Sequence, residues 1–227
     1  LQDIKISTDM LIIQACLFDL DGVIVDTAKY HYQAWRQLAN ALGFDLSIEQ
    51  NELLKGISRM ESLDIILGIG GVTLSEADKN KYAAEKNTRY LELCQQMTPE
   101  DTLPGVRSFL EELKKASIKI GLGSASKNAR VIMERIDMLH YFETIVDGNR
   151  ITKGKPDPEV FLLGASDLNA TPAQCIVFED AVAGIQSAKA GGMIAVGIGD
   201  AATLQEADVV LKGFENITFN TLLKMLA

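Results

Sequence analysis

The sequence predicts an α/β fold: a parallel sheet covered by helices on both faces, broken after its first strand by an all-helical insertion. Three observations predict it. Short apolar runs such as "LIIQACLF" (11–18) and "CIVFED" (175–180) read as strands buried on both sides of a sheet. From residue 104 onward such runs alternate with helical segments, the pattern of strands joined by crossover helices. Between them, residues 30–97 keep a helical period with no strand.

The elements follow in order. After the first strand, "AKYHYQAWRQLANALG" (28–43) places Tyr32, Trp35, Leu38, Ala39 and Leu42 on one stripe. Asp26 or Thr27 can cap its start and Gly43 can end it. Ser47 opens "SIEQNELLKG", Ser58 with Glu61 forms a capping box for "SRMESLDIILG", and Ser75 opens the long "SEADKNKYAAEKNTRYLELCQQM". Beyond "TPEDTLPG" the expected order is helix 105–116, strand 118–124, helix 127–137, a weaker strand at 144–147 and helix 157–168. Strand 175–180, helix 181–190, strands 193–198 and 208–211, and helix 218–226 complete it. The expected division is a core of 1–29 and 98–227 with an inserted four-helix unit at 30–97.

The chain of 227 residues is 47% hydrophobic, enough for a sizeable core, and its net charge is −9. That balance argues against a nucleic-acid partner, which rewards clustered Lys and Arg. It leaves room for a small phosphorylated substrate, because local cations can oppose the charge of the whole. Cys16, Cys94 and Cys175 show neither a disulfide framework nor a zinc spacing and read as buried free thiols. No apolar stretch reaches membrane-spanning length, and "LQDIKISTDM" lacks a signal-peptide core, so a cytoplasmic protein with no membrane partner is expected, as a monomer.

The chemistry collects at strand ends. In extended backbone, residues i and i+2 face the same side, so Asp19 and Asp21 of "FDLDG" can face one volume beyond the first strand. Ligands of open α/β sheets bind there. Crowded carboxylates need a cation or a shared proton, and "CIVFED" brings Glu179 and Asp180 to a second strand end. Three or four converging oxygens suit Mg²⁺ with room left for phosphate. "GLGSASKN" ends in Ser124, followed by Ser126, Lys127 and Asn128 at a helix start, where backbone N–H groups favour anions. "KGKPDP" offers Lys155 on a proline-stiffened loop. Singly, each has a plainer use: a turn for D-x-D-G, a strand-end cap for Ser124, a solvated charge for Lys155, a helix cap for Glu179 and Asp180. Four such features, each after a different apolar strand, are hard to leave to chance.

"FDLDGVIVDT", "SAS", "KGKPDP" and "VFEDAVAGIQSAKAGG" resemble, in order, the four motifs of the haloacid dehalogenase superfamily of aspartate-based phosphotransferases. "DGVIVDTAKYHYQAW", "LKGISR", "EKNTRY" and "SASKN" are similar to its β-phosphoglucomutases. The resemblance implies a Rossmann-like parallel-sheet core with a helical cap. It makes Asp19 the nucleophile and Asp21 the general acid/base, with Mg²⁺ taken by Asp19, the Asp21 carbonyl and Asp180, and by Glu179 directly or through water. It gives Ser124, Ala125 and Lys155 the transferring phosphate. It gives Arg59, with Ser58, Gly56, Ser126, Lys127 and Asn128, the distal phosphate and sugar. His31 and Lys86 would help place Asp21 and the sugar, and Thr27 would lie at the hinge. Met60 stands where the family pattern leads one to expect an acidic residue. The implied reaction is interconversion of β-D-glucose 1-phosphate and glucose 6-phosphate through a bisphosphate. The alternative is a capped phosphosugar phosphatase that uses the same groups around Asp19.

Overall fold

The computed structural model describes residues 12–54 and 57–227. Six strands form one parallel sheet in the order β3-β2-β1-β4-β5-β6. They are β1 (Ala15–Phe18), β2 (Lys119–Gly123), β3 (Thr144–Val146), β4 (Cys175–Glu179), β5 (Ile194–Ile198) and β6 (Val209–Leu211). Between β1 and β2 lie four helices, α1 (Ala28–Ala41), α2 (Ile48–Glu52), α3 (Arg59–Gly70) and α4 (Glu76–Cys94). The remaining helices are α5 (Val106–Lys115), α6 (Ala129–Arg135), α7 (Glu159–Asp167), α8 (Val182–Ala190) and α9 (Phe219–Leu226).

The apolar strands sort by the two-residue period of extended backbone. Cys16 and Phe18 join one core with Ile120, Leu122, Ile176 and Phe178, while Ala15 and Leu17 join a second with Val177, Ala195 and Phe161. In the first, the Phe18 ring stacks on Phe178 at 4.6 Å, with Phe109 edge-on to both. The helical insertion has a third cluster, built from Trp35, Leu38, Leu63, Ile66 and Ala83.

The predicted capping holds with one exchange. Ser47 and Ser58 form capping boxes with Gln50 and Glu61, and Ser75 caps α4. At α1 the hydroxyl of Thr27 is used elsewhere, and Asp26 accepts from the Ala28 N–H at 3.0 Å. Helix α6 starts at Ala129 rather than at 127, because residues 124–128 are spent on a loop. All three cysteines are buried and free. Among the described residues no helix is long and apolar enough to cross a membrane.

Register positions the site. Phe18 pairs with Leu122 on one side and Phe178 on the other, so the next residues, Asp19, Gly123 and Glu179, end level with one another. Strand order reverses between β1 and β4, which is where a crevice opens at the strands' C-terminal ends.

Candidate active site

The chain leaves β1 at Asp19 and turns at once, with the Leu20 carbonyl accepting from the N–H groups of Ile24 and Val25. Gly22 adopts a positive φ of 78°. A Cβ there would overlap the carboxylate of Asp180, so the glycine lets the end of β4 approach the turn after β1. Gly184 does the same for Glu179, whose carboxylate fills the space of its missing side chain. These contacts gather Asp19, Glu179 and Asp180, each with an oxygen within 4.8 Å of the others.

Lys155 neutralises part of this cluster. Its buried ammonium donates to Asp19 Oδ1 at 2.6 Å, to Glu179 Oε1 and to the Gly123 carbonyl at 3.2 Å. Burial alone would lower its pKa, but the two carboxylates outweigh that and hold it above the ordinary lysine value. Burial pushes Glu179 upward, with Lys155 pulling back. The second oxygen of Glu179 accepts from the Ala181 N–H at 3.0 Å, so both its oxygens are engaged and it also does the helix-capping work that its position suggests.

Beyond β2 the loop is folded by its own hydroxyls. Buried Ser124 continues the sheet through its N–H to the Val146 carbonyl, while its Oγ accepts from Ser126 N–H at 3.1 Å. Ser126 Oγ accepts from Asn128 N–H at 3.2 Å. The Asn128 side chain then donates to Asn87 Oδ1 at 2.7 Å, tying this loop to α4 of the insertion.

A cavity of about 690 Å³ lies between these strand ends and the helices of the insertion. Asp19, Asp21, Thr27, His31, Arg59, Ser58, Lys86, Ser124, Ala125, Ser126, Lys127, Asn128 and Asp180 all line it. Lys155 and Glu179 sit just behind the wall, in contact with Asp19 or with each other. Gly56 lies outside the described residues.

Asp21 accepts a hydrogen bond from Thr27 Oγ1 and is drawn away from any ion pair. Burial and the neighbouring Asp19 raise its pKa to about 7. Its own carbonyl accepts no hydrogen bond among the described residues. On the insertion side the groups are basic. Lys86 Nζ lies 2.9 Å from His31 Nδ1 and above the rings of Trp35 and Tyr90, at 4.3 and 4.9 Å. Burial, and then Arg59, lower Lys86 to about 7; burial and the two cations also push His31 well below its usual value, so its ring is neutral and accepts from Lys86. Arg59 opens α3, half-buried, and burial lowers it too. Glu61 does not pair with it, because that carboxylate is held by the Ser58 N–H in the capping box. The cavity thus has an acidic floor and a basic roof.

Among the lining residues to which the sequence reading gives no role are Asn51, Asn87 and Tyr90. Asn87 is marked only by lying beside Lys86 in "EKNTRY", and Asn51 by nothing. Tyr90 stands one helical turn from Lys86 on the same face, a spacing that signals it. Its buried hydroxyl lies beside Thr27 and Cys94 without a hydrogen bond to either.

A family model for haloacid dehalogenase-like hydrolases matches residues 13–192. The chain belongs to the haloacid dehalogenase-like hydrolase family. It is 44% identical to a β-phosphoglucomutase of Bacillus subtilis over 92% of this chain and 93% of that one. A crystal structure of β-phosphoglucomutase from Clostridium difficile superposes with a TM-score of 0.91 at 44% identity, covering 95% of this chain and 97% of the other. A phosphorylated carbohydrates phosphatase of Thermotoga maritima is 31% identical over 87% of this chain and 92% of its own. Within the family, then, mutases and phosphatases share this chain's architecture, and the cavity must separate them.

Proposed function

We propose that the chain is a β-phosphoglucomutase, interconverting β-D-glucose 1-phosphate and glucose 6-phosphate through an aspartyl phosphate and glucose 1,6-bisphosphate. The observation that carries this is the pair of cationic ends in one cavity: Lys155 behind the carboxylate floor, and Arg59 with Lys86 in the roof. A bisphosphate that turns end for end must be held by whichever phosphate is not reacting. A hydrolase acting on one phosphate needs only the floor.

The donor set fits Mg²⁺: all oxygen, clustered, and short of cations. Asp19, Asp180 and the Asp21 carbonyl would hold it, and Glu179, with both oxygens engaged, is the buried counter-charge that fixes Lys155. Bound there, Mg²⁺ would neutralise charge on the transferring phosphoryl group. Asp19 attacks phosphorus and carries the phosphoryl group. Ser124, the Ala125 N–H and Lys155 hold its oxygens. Asp21 gives a proton to the leaving sugar oxygen and later takes one from the incoming hydroxyl, a task suited to a group titrating near neutrality. Thr27 keeps Asp21 aside until the substrate is seated. Arg59, Ser58, Gly56, Ser126, Lys127 and Asn128 bind the distal phosphate and sugar, with Lys86 and His31 beside them. Residues 30–97 act as a cap over the core formed by 1–29 and 98–227, supported by the insertion's separate apolar cluster. Three free cysteines suit a reducing, cytoplasmic setting.

The test is turnover of β-D-glucose 1-phosphate with Mg²⁺ and a trace of glucose 1,6-bisphosphate, scored for glucose 6-phosphate against free phosphate. Isomerisation well ahead of phosphate release is expected. Release as the main product would make the chain a phosphatase.

A further inference from the structure

We infer that Asn51 is a specificity-determining residue, whose side-chain oxygen accepts a hydrogen bond from one hydroxyl of the bound hexose. The inference deepens the proposed function and rests on it. Asn51 lies in α2, is 7% exposed and lines the cavity. Its Oδ1 is buried and has no hydrogen-bond partner among the described residues. Buried polar atoms in native proteins are nearly always paired, so an orphan in a cavity wall points to a partner supplied by what fills the cavity.

Apart from the Tyr90 hydroxyl, which is likewise unpaired, several other polar groups on the insertion side are engaged within the protein. Ser58 and Glu61 satisfy each other in the capping box, and Ser62 Oγ donates to the Ser58 carbonyl at 3.0 Å. Asn80 donates to the Glu76 carbonyl and Asn87 accepts from Asn128. The insertion's share of the cavity wall also includes apolar Leu54, Met60 and Ala83. Arg59 and Lys86 are donors and suit phosphate oxygens. Ionised phosphate has no donor to offer Asn51 in return. The ligand group that matches an open acceptor is a hydroxyl, and the sugar carries several. A site built to hydrogen-bond a substrate hydroxyl rejects analogues that lack it, because its own polar atom is then left unpaired.

The test compares wild type and Asn51→Leu, near in volume and without polar atoms, on β-D-glucose 1-phosphate and its 2-, 3- and 4-deoxy analogues. The wild type should discriminate against one deoxy analogue more than Asn51→Leu does. That hydroxyl's contribution, taken as the ratio of kcat/KM values, should fall roughly three- to ten-fold in the variant, as for one neutral hydrogen bond. The fall should be confined to one ring position. Equal losses on the parent and all three analogues, or no loss on any, would overturn the inference. If Asn51→Leu melts well below wild type, Asn51→Ala and Asn51→Asp are run through the same series: Asn51→Ala must show the position-specific fall, and Asn51→Asp, which keeps an acceptor oxygen, must retain the discrimination. Should the wild type release phosphate instead of isomerising, the proposed function fails separately, and the same ratios scored on free phosphate still decide the role of Asn51.

Discussion

Removing the ammonium of Lys155 should cost more stability than any surface charge in the protein, and the loss should be recoverable by removing a second charge. Lys155 is 2% exposed, and its two ionic partners, Asp19 and Glu179, are 6% and 0% exposed. In Lys155→Met the apolar stem is kept, but two carboxylates are left facing each other and the Gly123 carbonyl loses a donor. Breaking a buried pair from one side costs about 3–5 kcal/mol, set against a typical total of about 5–15 kcal/mol. The second arm is Lys155→Met with Glu179→Gln, which removes the buried charge while keeping its shape. That double variant should regain about 2 kcal/mol over Lys155→Met, since the unpaired charge and not the lost contact carries most of the penalty. Urea unfolding in EDTA, so that no metal substitutes for the lysine, measures both. A loss under about 1 kcal/mol for Lys155→Met, or a double variant no more stable than the single, would refute the reasoning. Neither variant should transfer phosphate at a useful rate, because the lysine proposed to hold the transferring group is gone in both.

Asp19→Asn should form no phosphoenzyme with acetyl phosphate and Mg²⁺; near-normal turnover would exclude the covalent route. Asp21→Asn should keep its Mg²⁺ affinity by calorimetry while sugar phosphorylation falls roughly 10²–10⁴-fold, and a collapse of metal affinity would make its side chain a ligand. Arg59→Ala should lose isomerisation by about 1.5–3 kcal/mol, as for a hydrogen bond to a charged group, and lose much less of the acetyl-phosphate reaction; equal small losses would favour the phosphatase. Lys86→Met should raise stability at pH 7 by about 2–3 kcal/mol, the burial penalty less the attraction of two rings. Since the native Lys86 titrates near 7 and the unfolded one near 10.4, the wild type holds fewer protons when folded between those values, and the advantage should fade as pH rises toward 10. An advantage that persisted at pH 10 would mean that the buried charge is not its source.

The acidic floor was legible because its residues are out of place by ordinary rules. Carboxylates after buried strands, and a lysine ahead of prolines, call for a partner, and the register of β1 with β2 and β4 supplies it. What the sequence conceals is which partner. Gly22 reads as a turn glycine, yet the side chain that forbids a Cβ there is Asp180, far along the chain. Thr27 reads as a helix cap or a hinge, and its hydroxyl is spent on Asp21 while Asp26 takes the capping bond. Glu179 reads as a cap or a metal ligand, and its two oxygens divide between Ala181 and Lys155. Tyr90 and Asn51 stand out because the hydroxyl of one and the Oδ1 of the other are buried without a hydrogen bond among the described residues, which is a property of the packed surroundings.

The roof carries the choice between mutase and phosphatase, and its energetics argue for the mutase. Arg59 and Lys86 are both desolvated, Lys86 lies in the repulsive field of Arg59, and the attraction of Asp21 for Lys86 ranks behind both burial and that repulsion. Arg59 also sits at the positive end of the α3 dipole, where a cation is disfavoured. Burial, mutual repulsion and the helix end all destabilise the folded chain. A helix N-terminus, a guanidinium and an ammonium around one space become favourable together only when an anion occupies it. Of the floor's carboxylates, Asp19 and Glu179 are held by Lys155, and Asp21, which attracts Lys86 without pairing with it, is held by Thr27. The anion proposed for that space is carried by the substrate, at the end that is not reacting. A second phosphate on the same small sugar has that charge and that separation, and it is what a bisphosphate intermediate presents.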